Sequence, residues 1–162
     1  MLAGCCPFPV DLVCGRMRSK SHFSGISRRI VFDTNILIDY FRGIDKCAEF
    51  LDSTYPKKRA ISAITLLELC QGEYERGKKG RERIIDFLKD YRIIVLPITP
   101  RIYKVAEKLI RRYQQKGLDL TDAMIAATCI STRYTLITRN IRHFKPIDNL
   151  RVEIPPYSGG IK

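Results

Sequence analysis

No two cysteines in this chain stand at C-x-x-C spacing, although there are six, at Cys5, Cys6, Cys14, Cys47, Cys70 and Cys129, and no histidine lies at ligand spacing beside them. Structural zinc needs its ligands in such close pairs, so the pattern argues against it. Cys47, Cys70 and Cys129 fall in apolar helical contexts, where a reduced thiol acts as a small hydrophobe. A secretory start is also missing: Asp11 interrupts the one apolar run near the N-terminus, and the basic residues follow that run instead of preceding it. The same run is too short for a membrane anchor. A cytoplasmic protein with reduced cysteines and no membrane partner is the expectation.

Acidic residues are few beside basic ones, 17 Asp and Glu against 29 Lys and Arg, for a formal charge of +12. Such a surface attracts polyanions and raises their encounter rate at low salt, but charge alone does not separate a nucleic-acid partner from a solvated exterior. With 45% hydrophobic and 28% charged residues over 162 positions, the chain suits one globular domain able to bury a core. Residues 1–27 show no periodic pattern and read as an irregular tail, with 28–155 as the domain and 156–162 as a C-terminal tail. Translation starting at Met17 would account for the first segment, and an intact-mass measurement decides that point.

From Arg28 onward strands and helices alternate. Ile30-Val31-Phe32 is a β-prone run, followed by the cap-forming Asp33-Thr34-Asn35 and an apolar stretch from Ile36 to Phe41. Arg59–Ile64 reads as a second strand leading into a helix to about Arg76, with Gly77 and Gly80 as breaks before a helix over 81–91. Ile93–Leu96 is a β-branched strand. Ile102, Val105, Ala106, Leu109, Ile110 and Tyr113 then recur at helical spacing. A helix begins at Asp119 or Thr121 and runs through the apolar Met124–Ile130, and strands follow at 134–138 and 151–154. Strands separated by helices imply a parallel sheet covered on both faces, whose ligands bind beyond the carboxyl ends of the strands. That rule selects Asp33 and Asn140, which follow the first and fourth strands, and helices leaving the same edge bring Glu68 and Asp122 to it.

Each candidate has an ordinary structural alternative. Asp33 could cap a helix, but Thr34 and Asn35 compete for that role and would leave Asp33 as a carboxylate at the mouth of a buried strand. Glu68 lies in Thr65-Leu66-Leu67-Glu68-Leu69 with Ile64, Thr65, Gln71 and Gly72 at helical neighbour spacing, so it has no charge partner on its own helix. Asp122 has the strongest alternative, since Asp119 as N-cap puts it at the third helical position, where the dipole favours a carboxylate. Asp119 is read mainly as that cap, supporting the site from behind. Three carboxylates held together repel unless a cation neutralises them, and a hard divalent ion on oxygen ligands, Mg²⁺ or Mn²⁺, does so while activating water for attack on a phosphodiester.

The pattern resembles the PIN-domain ribonucleases, and within them the VapC-type toxins of toxin–antitoxin pairs. The resemblance spans Arg28 to Pro155 and rests on Ile30-Val31-Phe32-Asp33-Thr34-Asn35, the acid of Thr65-Leu66-Leu67-Glu68-Leu69, the run Asp122-Ala123-Met124-Ile125-Ala126-Ala127, and Thr138-Arg139-Asn140 followed by Phe144. It implies a three-layer α/β/α sandwich with a mainly parallel central sheet. It further implies a Mg²⁺- or Mn²⁺-dependent endoribonuclease, usually a homodimer, held inactive by a small antitoxin that inserts a segment into the active-site groove. Asp33, Glu68 and Asp122 match three of the family's acids and would hold the metal. Asn140 takes a fourth position that is often Asp, leaving a neutral oxygen there and arguing for one firmly held ion. His143 stands where many relatives carry Asp and is read as a packing or surface residue. Thr34 and Thr138 are candidates for orienting water, Arg139 for meeting a phosphate, and Asn35 for supporting the acids.

Haloacid-dehalogenase phosphatases also place an acid after the first strand, but they need a second Asp where this chain has Asn35. A non-catalytic, nucleic-acid-binding relative would not need all of Asp33, Glu68 and Asp122. A housekeeping RNA-processing enzyme is separated from a toxin only by its context, above all by a short antitoxin-like frame upstream.

Overall fold

In the computed structural model the described residues are 29–74 and 77–157. The chain runs β1 (Arg29–Phe32), α1 (Thr34–Phe41), α2 (Asp45–Ser53), β2 (Lys58–Ser62), α3 (Ala63–Tyr74), α4 (Gly77–Asp90), β3 (Ile93–Leu96), α5 (Pro100–Tyr113), α6 (Leu120–Thr132), β4 (Thr135–Ile137), α7 (Ile141–Phe144) and β5 (Val152–Glu153). The strands form one five-stranded sheet in the order β3-β2-β1-β4-β5. Every pairing is parallel.

Alternation along the strands assigns residues to the two faces. Val31, Ala60 and Leu136 join the core built with α5 and α6, around Ile102, Ala106, Leu109 and Ile125. Ile30, Phe32, Ile61, Ile93, Val95 and Ile137 point the other way, into a core shared with Leu37 of α1, Leu51 of α2, Leu66 of α3 and Leu88 of α4. The expected three-layer parallel architecture is therefore what the chain adopts, with β1 in the middle of the sheet. Asp33 continues the pairing of β1 with β4, its N–H donating to the Ile137 carbonyl at 3.0 Å.

Several local readings change. Residues 42–58 carried no expected element yet contain α2, which is polar except for a stripe in which Cys47 and Leu51 are buried. β2 ends at Ser62 because the buried Ser62 hydroxyl accepts from the Thr65 N–H at 3.0 Å, which starts the helix two residues early. Gly77 opens α4, as a break before it would, whereas Gly80 lies inside the helix; glycine costs a helix roughly 1 kcal/mol, less than the burial of Ile84, Phe87 and Leu88 on that helix returns. Tyr157, assigned to the C-terminal tail, is buried in the core beside α1–α4.

Candidate active site

The carboxyl end of the sheet collects the candidate residues as expected, but the roles differ in detail. Asp33 itself caps α1, with extended backbone at φ −71° and ψ 155°, and its Oδ1 accepts from the Thr34 N–H at 2.7 Å. The cap and the candidate carboxylate thus coincide in one residue. The other oxygen, Oδ2, accepts from Thr138 Oγ1 at 2.5 Å and from Asn35 Nδ2 at 2.5 Å. Asn35 also donates to Thr138 Oγ1 at 3.0 Å, closing a small ring of contacts beneath the carboxylate.

Asp33 is only 5% exposed. Burial raises its pKa to about 6, against the pull of the Thr138 and Thr34 hydrogen bonds, and the charges of Asp122 and Glu68 raise it further. No cation contributes to that balance. Glu68 finds its partner outside its own helix, where Thr34 Oγ1 of α1 donates to its Oε2 in a short hydrogen bond. Cys129 of α6 is fully buried close enough for the Asp33 charge to add to the effect of burial in raising its thiol pKa, so it is packing and not chemistry.

Asp119 is the N-cap of α6, its Oδ1 accepting from the Asp122 N–H at 2.7 Å, which places Asp122 in the first turn. Asp122 is pushed up in pKa by burial, opposed by its contact with His143. His143 Nδ1 lies 2.8 Å from Asp122 Oδ2 and 2.9 Å from Asn140 Nδ2. The imidazole is therefore not a bystander, but its single Nδ1 serves one neighbour at a time, donating to the Asp122 carboxylate when it carries the proton and accepting from the Asn140 amide when it does not. The Asn140 main-chain N–H donates to Thr138 Oγ1 at 2.9 Å, the same hydroxyl that donates to Asp33. Arg139, expected to meet a phosphate, instead directs Nη1 to Asp39 Oδ1 at 2.9 Å and Oδ2 at 2.7 Å. Asp39 was not singled out by sequence; the signal available was one acid inside the apolar run Ile36–Phe41, with Arg42 three residues on as a plausible surface partner.

Whether these residues suit a divalent ion is a question of donors and of geometry. The donors are hard oxygens around a buried acid whose charge no cation balances, which is the chemistry Mg²⁺ and Mn²⁺ favour. Among the described residues, however, no three His, Cys, Asp or Glu side chains converge closely enough to share an ion. Glu68 is instead bonded to Thr34 and Asp122 lies against His143.

A model of the PIN domain matches residues 30–150. The chain belongs to the PIN-domain family. Ribonuclease VapC19 of Mycobacterium tuberculosis is 30% identical over 131 residues, covering 78% of this chain and 98% of that protein. Ribonuclease VapC1 of Methanocaldococcus jannaschii is 31% identical over 128 residues, with 78% and 86% covered. Among solved structures, VapBC2 of Rickettsia felis bound to a DNA fragment from its promoter superimposes with a TM-score of 0.68 at 28% identity, covering 78% of this chain and 98% of that one. Asp33, Glu68, Asp122 and Asn140 all fall inside the PIN match, whereas Tyr157 lies beyond it.

Proposed function

We propose that this PIN domain is a metal-dependent endoribonuclease and the toxin of a toxin–antitoxin pair. The observation that carries the reading is the buried Asp33 carboxylate, with Glu68 and Asp122 adding to its negative field at the carboxyl edge of a parallel sheet. Asp33, Glu68 and Asp122 would hold Mg²⁺ or Mn²⁺, with Asn140 as a neutral neighbour. Such an ion supplies activation of water and neutralisation of the charge that develops on the phosphodiester. Asn35 and Thr138 fix Asp33 Oδ2 in place, and Thr34 sets the distance between Asp33 and Glu68 by bonding one through its N–H and the other through its hydroxyl. The basic surface, at +12 overall, supplies the phosphate attraction that an acidic site lacks. The relatives named as ribonucleases, and a toxin–antitoxin complex from Klebsiella pneumoniae among the similar structures, support this reading.

The protein partner has a plausible seat. A groove of about 470 Å³ lies between α1, α2 and α4, lined by Tyr40, Phe41 and Phe87 together with Asp45, Asp86, Asp90 and Arg83. Aromatic side chains with three acids against one arginine suit an apolar segment bearing Lys or Arg, and α1 carries this groove at one end and Asp33's cap at the other. A homodimer in the cytoplasm is part of the same reading; among the described residues no helix is long and apolar enough to cross a membrane.

Expression of the chain and of Asp33→Asn in cells, followed by RNA cleavage assays of both proteins with Mg²⁺, Mn²⁺ and EDTA, tests the proposal. Growth arrest and ion-dependent cleavage by the wild type alone are expected. Equal growth and equal cleavage by the two proteins would overturn it.

A further inference from the structure

Asp39 is a charge that the cleavage chemistry leaves unused. Its side chain is 3% exposed, and besides Arg139 it accepts a hydrogen bond from the Tyr157 hydroxyl at 3.2 Å. Asp39 is taken out of water while the Arg139 side chain stays 29% exposed, and apolar replacements of pairs with a buried member are often neutral or stabilising. Stability alone therefore gives little reason to place an ion pair here, whereas its position in the site does.

Arg139 lies between Thr138 and Asn140. Its main-chain N–H donates to Asn35 Oδ1 at 3.2 Å, and the same Asn35 side chain donates to Asp33 Oδ2 and Thr138 Oγ1. The turn that carries Thr138 and Asn140 is thus tied to α1 twice, through its backbone by Asn35 and through its side chain by Asp39. The third member comes from the end of the described chain. Tyr157 packs against Phe50 of α2, with ring centroids 5.8 Å apart, while its hydroxyl engages Asp39.

We infer that Asp39, Arg139 and Tyr157 form a clamp that sets the position of the 138–140 turn, and through it the Asp33 carboxylate and the Asn140 side chain, for cleavage of RNA. The inference rests on the ribonuclease reading above. The three are positioning residues, with Arg139 acting inside the fold and not on a phosphate. A shift of about 1 Å at a reacting centre can cost on the order of 10²-fold in rate, so a turn held at two points matters to kcat far more than to substrate affinity.

The test compares Asp39→Asn, Arg139→Gln, Arg139→Lys, Tyr157→Phe and the combined D39N/R139Q chain with wild type, using Tyr103→Ala on exposed α5 as a surface control. Rates are measured well below each melting temperature, with folding checked by circular dichroism. Asp39→Asn and Arg139→Gln are expected to lower kcat on the order of 10²-fold, with KM within about twofold, because the interaction lost is one that orients reacting groups and does not bind RNA. Arg139→Lys should recover part of the loss, and the combined chain should be no slower than the slower single variant, since both break one contact. The side-chain amide NMR signals of Asn35 and Asn140 should shift in every clamp variant and stay in place in Tyr103→Ala. Folded variants with wild-type kcat and unmoved amide signals would overturn the clamp. If wild type itself fails to cleave RNA, the ribonuclease reading falls, and the amide signals still decide: shifts uphold the clamp and their absence overturns it.

Discussion

Asp33→Asn should make the ion-free protein more stable at neutral pH. In the fold Asp33 keeps its proton up to about pH 6, whereas in the unfolded chain it loses it near 3.8. Between those values the folded state binds more protons than the unfolded one, so stability falls as pH rises through this window and levels off above it. A rise of about two units at about 1.4 kcal/mol each places the cost of ionising folded Asp33 at about 3 kcal/mol above pH 6. Asparagine escapes that cost but brings an NH₂ group against the Asn35 amide, which returns part of the gain, leaving on the order of 1–2 kcal/mol. For a domain of this size that is a rise in melting temperature of roughly 2–8 °C. Thermal melts of both proteins in EDTA, from pH 4 to pH 7.5, measure the difference directly. It should be positive at pH 7.5 and vanish or reverse near pH 4. A difference that does not change with pH, or a variant that loses ground to wild type as pH rises, would refute the account of Asp33 as a buried acid without a counter-charge.

Three further outcomes follow from the same geometry. Mn²⁺ at a hundred times its dissociation constant should stabilise wild type by about 2.7 kcal/mol and Asp33→Asn hardly at all, as read from melting curves with and without the ion. Asp119→Ala removes the α6 cap and should cost about 1 kcal/mol of stability while retaining cleavage, whereas Asp122→Asn should abolish cleavage with little effect on the melt; parallel behaviour of the two would return Asp122 to a purely capping role. Leu37→Ala, at a fully buried position of α1, should lower stability by roughly 2–5 kcal/mol in urea unfolding, without altering the ion dependence of the remaining activity.

Local patterns made much of the sheet legible. β-branched runs bounded by caps located β1 and β3, because a central parallel strand must be apolar on both faces, and the residues just after β1 and β4 then had to face the ligand edge. α2 escaped because its buried stripe is so narrow, with Cys47 and Leu51 buried among charged neighbours. The end of α6 carries no glycine signal; Arg133 takes the left-handed conformation at φ 60° that glycine usually supplies. Within the site, the presence of acids could be read, but their partners could not. Glu68 bonds Thr34, Asp122 bonds His143 and Arg139 bonds Asp39, separated by 34, 21 and 100 residues, and pairings at such distances are set by packing and not by spacing along one helix. Arg139 shows the consequence: as a basic residue at the ligand edge it reads as a phosphate contact, until a buried carboxylate on a neighbouring helix claims it.

The order of the strands has a consequence for when the molecule becomes competent. β1 and the Asp33 carboxylate leave the ribosome early, yet Asp33 Oδ2 waits for Thr138, the central strand waits for β4 as its second neighbour, and Asp39 waits for Tyr157. A nascent chain therefore exposes the first acid of the site without the groups that hold it in place until Thr138 and Tyr157 have been made. For a protein that would attack RNA, the site is completed only by residues that follow Asp33 by more than 100 positions.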